Sequence, residues 1–336
     1  MSLPGNQNRV RTLLVDVRKM CLVSVQPDVE CRYIALSYVW GGRQLLRTTM
    51  ENFSTLMRQV ALAKLQEQIP RVIRDAMAVV ALMDEEFLWV DSLCIVQDNP
   101  QLKHLEIARM NTIYSQASLT IVALSATHAD DGLFGIPPKF RFPATIYHQN
   151  VTIMRAAPQL ENLIAGSVYE SRGWTLPEKV LSRRCLFFTD HLVYFRCNAG
   201  IHRETEEEPI IKLNGFVSAR RANSVNPLTN LKGSREASAW KHNFHHYKFL
   251  VRDYSQRNLS YPSDILFAFS GIQAYITAVT GSDFVCGLPE AVIDAALLRY
   301  SLNSSTQERR VSSIYTHDSS LIRPPSWSWI GWIGPV

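Results

Sequence analysis

Between residues 33 and 125 short, continuously apolar runs alternate with longer segments of helical period, and this alternation restricts the fold more than any other feature of the chain. "CRYIALSYVWGG" is a short apolar run ending in an aromatic, glycine-bearing turn. "PRVIRDAMAVVALMDEE" opens on Pro70, suited to a first helical turn, and puts Val72, Ile73, Ala76, Met77, Val80 and Met83 on one face. "FLWVDSLCI", interrupted by Asp91, has the pattern of a strand buried on both faces with a polar residue at its end. "QLKHLEIARMNTIYSQAS" then predicts a second helix and "LTIVALS" a third strand. Parallel strands need crossovers, which are right-handed, so the expectation is an α/β fold: a parallel sheet flanked by helices.

Around this segment, "TLLVDVRKMCLVSV" reads as an early hairpin and residues 43–69 as mixed, with a short helix. "GWTLPEKVLSRR" predicts another helix, followed by strands "CLFFTD" and "LVYFRC", all in the same sheet system. Residues 199–239 are polar and helix-poor. Beyond them "ASAWKHNFHHYKFLVRDYSQR" keeps Trp240, Phe244, Tyr247 and Val251 at helical spacing, and "YPSDILFAFSGIQAYITAV" and "PEAVIDAALLRYSL" predict two more helices. The expected organisation is an α/β core over residues 1–200 and a mainly helical extension over 201–336 packed on it.

Composition excludes several function classes. A net charge of +5 over 336 residues, with Lys and Arg scattered among acids, does not imply nucleic acid and suits a mildly basic pocket for an anionic small molecule equally well. The N-terminus lacks a signal-peptide core and no stretch approaches the roughly 18 apolar residues of a membrane span, so no membrane role and a cytoplasmic location are expected. Six cysteines without a C-x-x-C pair read, most of them, as buried thiols. The triplet at Asn150 would matter only in a secreted protein. The common dinucleotide, triphosphate, zinc-protease and serine-hydrolase fingerprints are absent. His242 and His246 stand one helical turn apart without a neighbouring acid or Cys, so no metal site is expected.

Ligands of open α/β sheets bind at the carboxyl ends of the strands, here "SYVWGG", "DSLC" and "SATHADDG". Tyr38 and Trp40 read either as core and rim aromatics or as a stacking wall beside Gly41, where the backbone can approach a ligand. Asp91 is either the cap of the next turn or a crevice residue. In "SRGWTLPEKVL", Thr175 and Glu178 have the spacing of a capping box, which makes Glu178 scaffolding unless its carboxylate does chemistry.

Three blocks, "YIALSYVWGG", then "LWVDSLCIVQDN" leading through Glu106 to "MNTIYSQASLTIVALSA", then "RGWTLPEKVLSRRCLFF", resemble in order and spacing those of the fungal heterokaryon incompatibility (HET) domain. "DYSQRNLSYPSDILFAFSGI" and "PSWSWIGW" resemble segments that follow them, so the resemblance runs from about Leu13 to the end. It implies an effector of non-self recognition and programmed cell death in filamentous fungi. HET domains are in turn distantly similar to TIR domains, which have a flavodoxin-like parallel sheet and in several lineages hydrolyse NAD. In that comparison "YIALSY", "LWVDSL" and "LTIVALS" fall on the first three TIR strands, and the W-x-x-x-E pattern on Trp174 and Glu178.

The resemblance therefore implies an NAD glycohydrolase with Glu178 as catalytic residue and NAD as substrate, no cofactor, and self-association or a partner signalling protein. Its rival is a non-enzymatic interaction module. Cleaving nicotinamide from ribose passes through an oxocarbenium-like state that a carboxylate stabilises, and nicotinamide leaves as a neutral base. Trp174 or Trp40 would stack on the pyridinium, worth up to about 2 kcal/mol when desolvated. Arg172 would bind the pyrophosphate or orient the carboxylate. Where family members generally have Gln this chain has Pro177, which is comfortable only in a first helical turn; the helix should start near Thr175 with Trp174 just outside it.

Overall fold

The computed structural model describes residues 12–26, 30–41, 46–141, 145–148, 151–154, 158–204, 216–218, 226–231, 233, 237–298, 308–315 and 321–334. The N-terminal leader, Gly42, Asn150 and much of the polar stretch after residue 204 lie outside these residues. The chain forms two compact units: a sheet unit of residues 1–107, 113–169 and 182–225, and a helical unit of 108–112, 170–181 and 226–336.

The sheet unit is built on strands β1 (Thr12–Asp16), β2 (Cys21–Val25), β3 (Ile34–Ser37), β4 (Phe87–Trp89), β5 (Leu119–Ala123), β6 (Cys185–Phe188), β7 (Val193–Cys197), β8 (Gly200–Glu204) and β9 (Phe216–Ser218). They form one sheet in the order β9-β8-β7-β6-β5-β3-β4-β1-β2. β6, β5, β3 and β4 run parallel in the middle, and antiparallel strands extend both sides. Taken in chain order, the parallel strands lie 2-1-3-4, the flavodoxin-like arrangement, whose direction reverses between β3 and β5.

The expected hairpin pairs Thr12 with Val25 and Asp16 with Cys21. Its turn is organised by Asp16, fully buried, which accepts from the N–H groups of Arg18 and Lys19 and pairs with the Lys19 ammonium at 2.9 Å. Helix α1 (Arg71–Leu82) follows Pro70, which stands at the N-cap rather than inside the first turn. Val72, Ile73, Ala76, Met77 and Val80 are buried and Met83 is half-buried, so the apolar stripe faces inward as its spacing predicts.

β4 is shorter than its apolar run suggests, because the chain turns at Asp91 into a single helical turn, Asp91–Cys94. Burial there pushes the Cys94 thiol up to about 12. The single helix expected over "QLKHLEIARMNTIYSQAS" is two, α2 (Pro100–Ile107) and α3 (Met110–Gln116). α2 buries none of its residues, whereas Ile113 and Tyr114 of α3 are buried, so no common apolar face holds the segment in one rod. Helix α4 (Leu160–Ala165) contributes Leu160 to a core with Val122, Tyr169, Phe187 and Tyr194.

In the helical unit, helix α5 (Thr175–Leu181), α6 (Ala237–Ser255) and α7 (Ile265–Thr280) share a hydrophobic core that includes Leu176, Trp240, Tyr254, Phe269 and Trp329. The Trp329 indole donates to the Tyr247 hydroxyl at 3.0 Å, and that hydroxyl donates to the Gly287 carbonyl at 2.5 Å, so the polar atoms of two buried aromatics are satisfied inside the core. The helix expected over "PEAVIDAALLRYSL" is cut to one short helix, Ile293–Leu297, among the described residues.

Candidate functional site

In the sheet unit the carboxyl ends of β3, β4 and β5 come together, because these strands are neighbours and parallel. The Trp40 indole after β3 donates to Asp91 Oδ2 after β4 at 2.6 Å. Asp91 Oδ1 accepts from the Ser92 N–H at 2.7 Å, and the Arg47 guanidinium lies 5.2 Å from the centre of the Trp40 ring. Tyr38 is buried and its hydroxyl donates to Ser92 Oγ at 3.0 Å, so its ring belongs to the packing and not to a stacking wall.

Gly41 has φ +77°, and a Cβ there would stand 2.6 Å from His128 Cβ, so the close approach at this glycine is made by the His128 side chain. The β3 and β5 loops are thus pressed together, with the Ala129 N–H donating to the Trp40 carbonyl at 3.3 Å. The Ala129 carbonyl in turn accepts from the Val72 N–H of α1 at 2.8 Å. That helix end also carries Asp75, which accepts from the Leu133 N–H at 2.8 Å and whose burial raises its carboxyl against the pull of that bond and of Arg71.

The other expected site residues lie in the helical unit. α5 begins at Thr175, and the Glu178 N–H donates to the Trp174 carbonyl at 3.4 Å, so Trp174 stands just outside the helix and Pro177 within its first turn, as the sequence implies. Glu178 is then the fourth helical residue, one place deeper than a capping-box glutamate, and the Thr175 hydroxyl donates backwards to the Arg172 carbonyl at 2.8 Å. All seven residues of α5 are buried, and Glu178 is 6% exposed. Trp174 is half-buried and meets Phe267 edge-on, with centroids 6.3 Å apart. Arg172 bridges to Asn258, and the Gly173 N–H donates to the Asn258 carbonyl at 2.7 Å.

A cluster the sequence does not advertise surrounds this helix. Lys179 Nζ reaches both oxygens of Glu170 at 2.7 Å. The Arg257 guanidinium pairs with Glu170, with both oxygens of Asp253 at 3.1 Å, and with the Thr175 hydroxyl at 3.2 Å. Burial pulls the Lys179 ammonium below its ordinary range although Glu170 opposes the shift. Only the Asp253 and Arg257 pairing, four residues apart on a helical pattern, leaves a sequence signal. The His242 and His246 rings approach to 3.2 Å between Nε2 atoms, and among the described residues no group of three or more His, Cys, Asp or Glu is placed to hold a metal.

Residues 33–178 match the family described as "Heterokaryon incompatibility protein (HET)", and this segment of the chain is a HET domain. The match supports a role in heterokaryon incompatibility. No curated protein and no solved structure matches the chain. No helix among the described residues is long and apolar enough to cross a membrane.

Proposed function

We propose that the protein is an effector of heterokaryon incompatibility that releases nicotinamide from NAD, with Glu178 as the carboxylate that stabilises the ribosyl cation. The carrying observation is the flavodoxin-like order of the parallel strands together with Trp40, which follows β3 beside the reversal between β3 and β5 and is held by Asp91 after the neighbouring β4. Such reversal points are where open α/β sheets receive nucleotides. Glu178 takes this role by the distant resemblance of HET to TIR domains, and its burial suits a carboxylate that acts electrostatically. Arg172 and Trp174, adjoining that helix, are the proposed contacts to pyrophosphate and pyridinium; Tyr38 and Gly41 shape the β3 loop. NAD or a related nucleotide is the ligand, and self-association or a signalling partner accompanies activity in the cytoplasm. Nicotinamide release measured for wild type and Glu178→Gln tests the reading: loss of at least a hundredfold in the variant is expected, and equal turnover removes the role.

One observation favours a non-enzymatic interaction module. Every residue of α5 is buried, which is what a scaffolding helix requires. Millimolar NAD or ADP-ribose should raise the melting temperature if the nucleotide reading holds, and no shift would favour the module.

A further inference from the structure

Among the described residues, strand order and crossover handedness leave part of the sheet without a covering helix. The β3-to-β4 and β4-to-β5 connections run in opposite directions, so right-handed crossovers send them to opposite faces. α1 lies on the face of Ile34 and Leu88, while Tyr114 of α3 meets Trp89 edge-on, and Trp89 is level with Ala35 on the other face. α4 joins Val122 and Phe187 on that second face. Among the described residues no helix therefore covers β5, β6 and β7 on the α1 side.

What stands there is a cleft of about 720 Å³. Its floor is apolar, with Leu119, Leu186, Phe188 and Phe195 from successive strands, the first three of them buried; Val79 and Leu82 of α1 form one wall, and Gly135, Ile136 and Pro137 also line the cleft. The volume lies in the range of small-molecule sites. Two pairs of charges on its rim are internally neutralised: Arg32 with Glu85 at 2.6 Å, and Arg141 with Glu204. Asp84 is paired with Arg18 at 2.6 Å. Arg184 differs, being exposed at the start of β6 with one weak bond, 3.5 Å to the Ser118 carbonyl.

The geometry points to a second binding site, independent of the proposed NAD chemistry, for an amphipathic monoanion: an acyl or aryl body in the cleft between the sheet, α1 and residues 135–137, and its carboxylate against the Arg184 guanidinium. An apolar trough with a single cation lacking a carboxylate partner among the described residues matches that chemistry in shape and charge. A purely apolar ligand would leave the guanidinium unused, and a polyanion would meet the acids of Glu85 and Glu204.

Fluorescence titration of the full chain with parinaric acid and with its uncharged methyl ester tests this. Saturable binding of one acid per chain is expected, with the ester roughly tenfold weaker. Arg184→Gln should weaken the acid by about the same factor and leave the ester unchanged. Leu82→Trp, at a side chain already 55% exposed and therefore tolerant of bulk, should block both. Absence of saturable binding, equal affinity of acid and ester in wild type, an Arg184→Gln variant that binds the acid as wild type does, or a Leu82→Trp variant that still binds, each overturns the proposal. So does a concentration-dependent dimer, seen by sedimentation, that Leu82→Trp dissociates, since it gives the face to a second copy.

Discussion

At single residues the structure turns patterns into requirements. Gly41 holds the left-handed conformation against the His128 side chain, so Gly41→Ala should cost about 2 kcal/mol in urea unfolding. Asp16 gives a pH dependence with a definite sign. Burial raises its carboxyl, but the Lys19 N–H and ammonium and the Arg18 N–H more than offset this and hold it below the ordinary value. Asp131 is lowered in the same sense, by Thr127 and Lys139 against its burial. The unfolded chain then binds more protons than the folded one just below the ordinary carboxylate range. Their contribution is complete above about pH 4 and is lost as pH falls through the lower folded values. Asp75, raised by burial, acts oppositely and moderates the loss. Thermal melts between about pH 2.5 and 6 should show stability falling on acidification, less steeply in Asp16→Asn. The glycine and Asp91 were legible as a special turn and a strand end. The fate of Tyr38 was not, because a tyrosine before a loop looks the same in sequence whether its hydroxyl meets water or Ser92.

Among elements, α5 depends most on charge. Glu170 is held by Lys179 and Arg257, whose side chains are 9% and 2% exposed, and a substitution that leaves both cations buried without it is far costlier than losing a surface pair. Glu170→Ala should destabilise the helical unit by about 3–5 kcal/mol, read by urea unfolding, whereas Arg18→Ala at the exposed Asp84 pair should change stability by less than about 1 kcal/mol. Periodicity located α1 and α6 because each keeps one apolar face inward, whereas α7 was legible as an apolar run whose first turns are buried on every side. It failed where that face breaks, between α2 and α3, and it was silent on Glu170, whose partners lie nine residues along α5 and far off at Arg257. Local patterns carry no record of which distant charge will close on a carboxylate.

For the molecule as a whole, the alternation of strands and helices was enough to give a parallel sheet and a local pattern the β1–β2 hairpin, while the placing of that hairpin at the sheet margin, and the lack among the described residues of a helix over β5 to β7 beside α1, follow only from the strand order. The core of the helical unit joins Leu176 and Val180 of α5 to Trp240, Phe269 and Trp329. Removal of residues 237–298 should therefore abolish nicotinamide release as completely as Glu178→Gln, although it leaves the HET-matching segment intact. Partial activity of the shortened chain would show that α5 needs no such support. The polypeptide passes between units at 107/108, 112/113, 169/170, 181/182 and 225/226, so neither unit is a continuous stretch of the gene product. Recombination that exchanged residues 33–178 between related genes would transplant Glu170 and α5 as far as Glu178 and leave Lys179 and Arg257, the cations that hold Glu170, behind. A coding sequence joined at that point keeps the Glu170 carboxylate and takes both of its cations from the other parent.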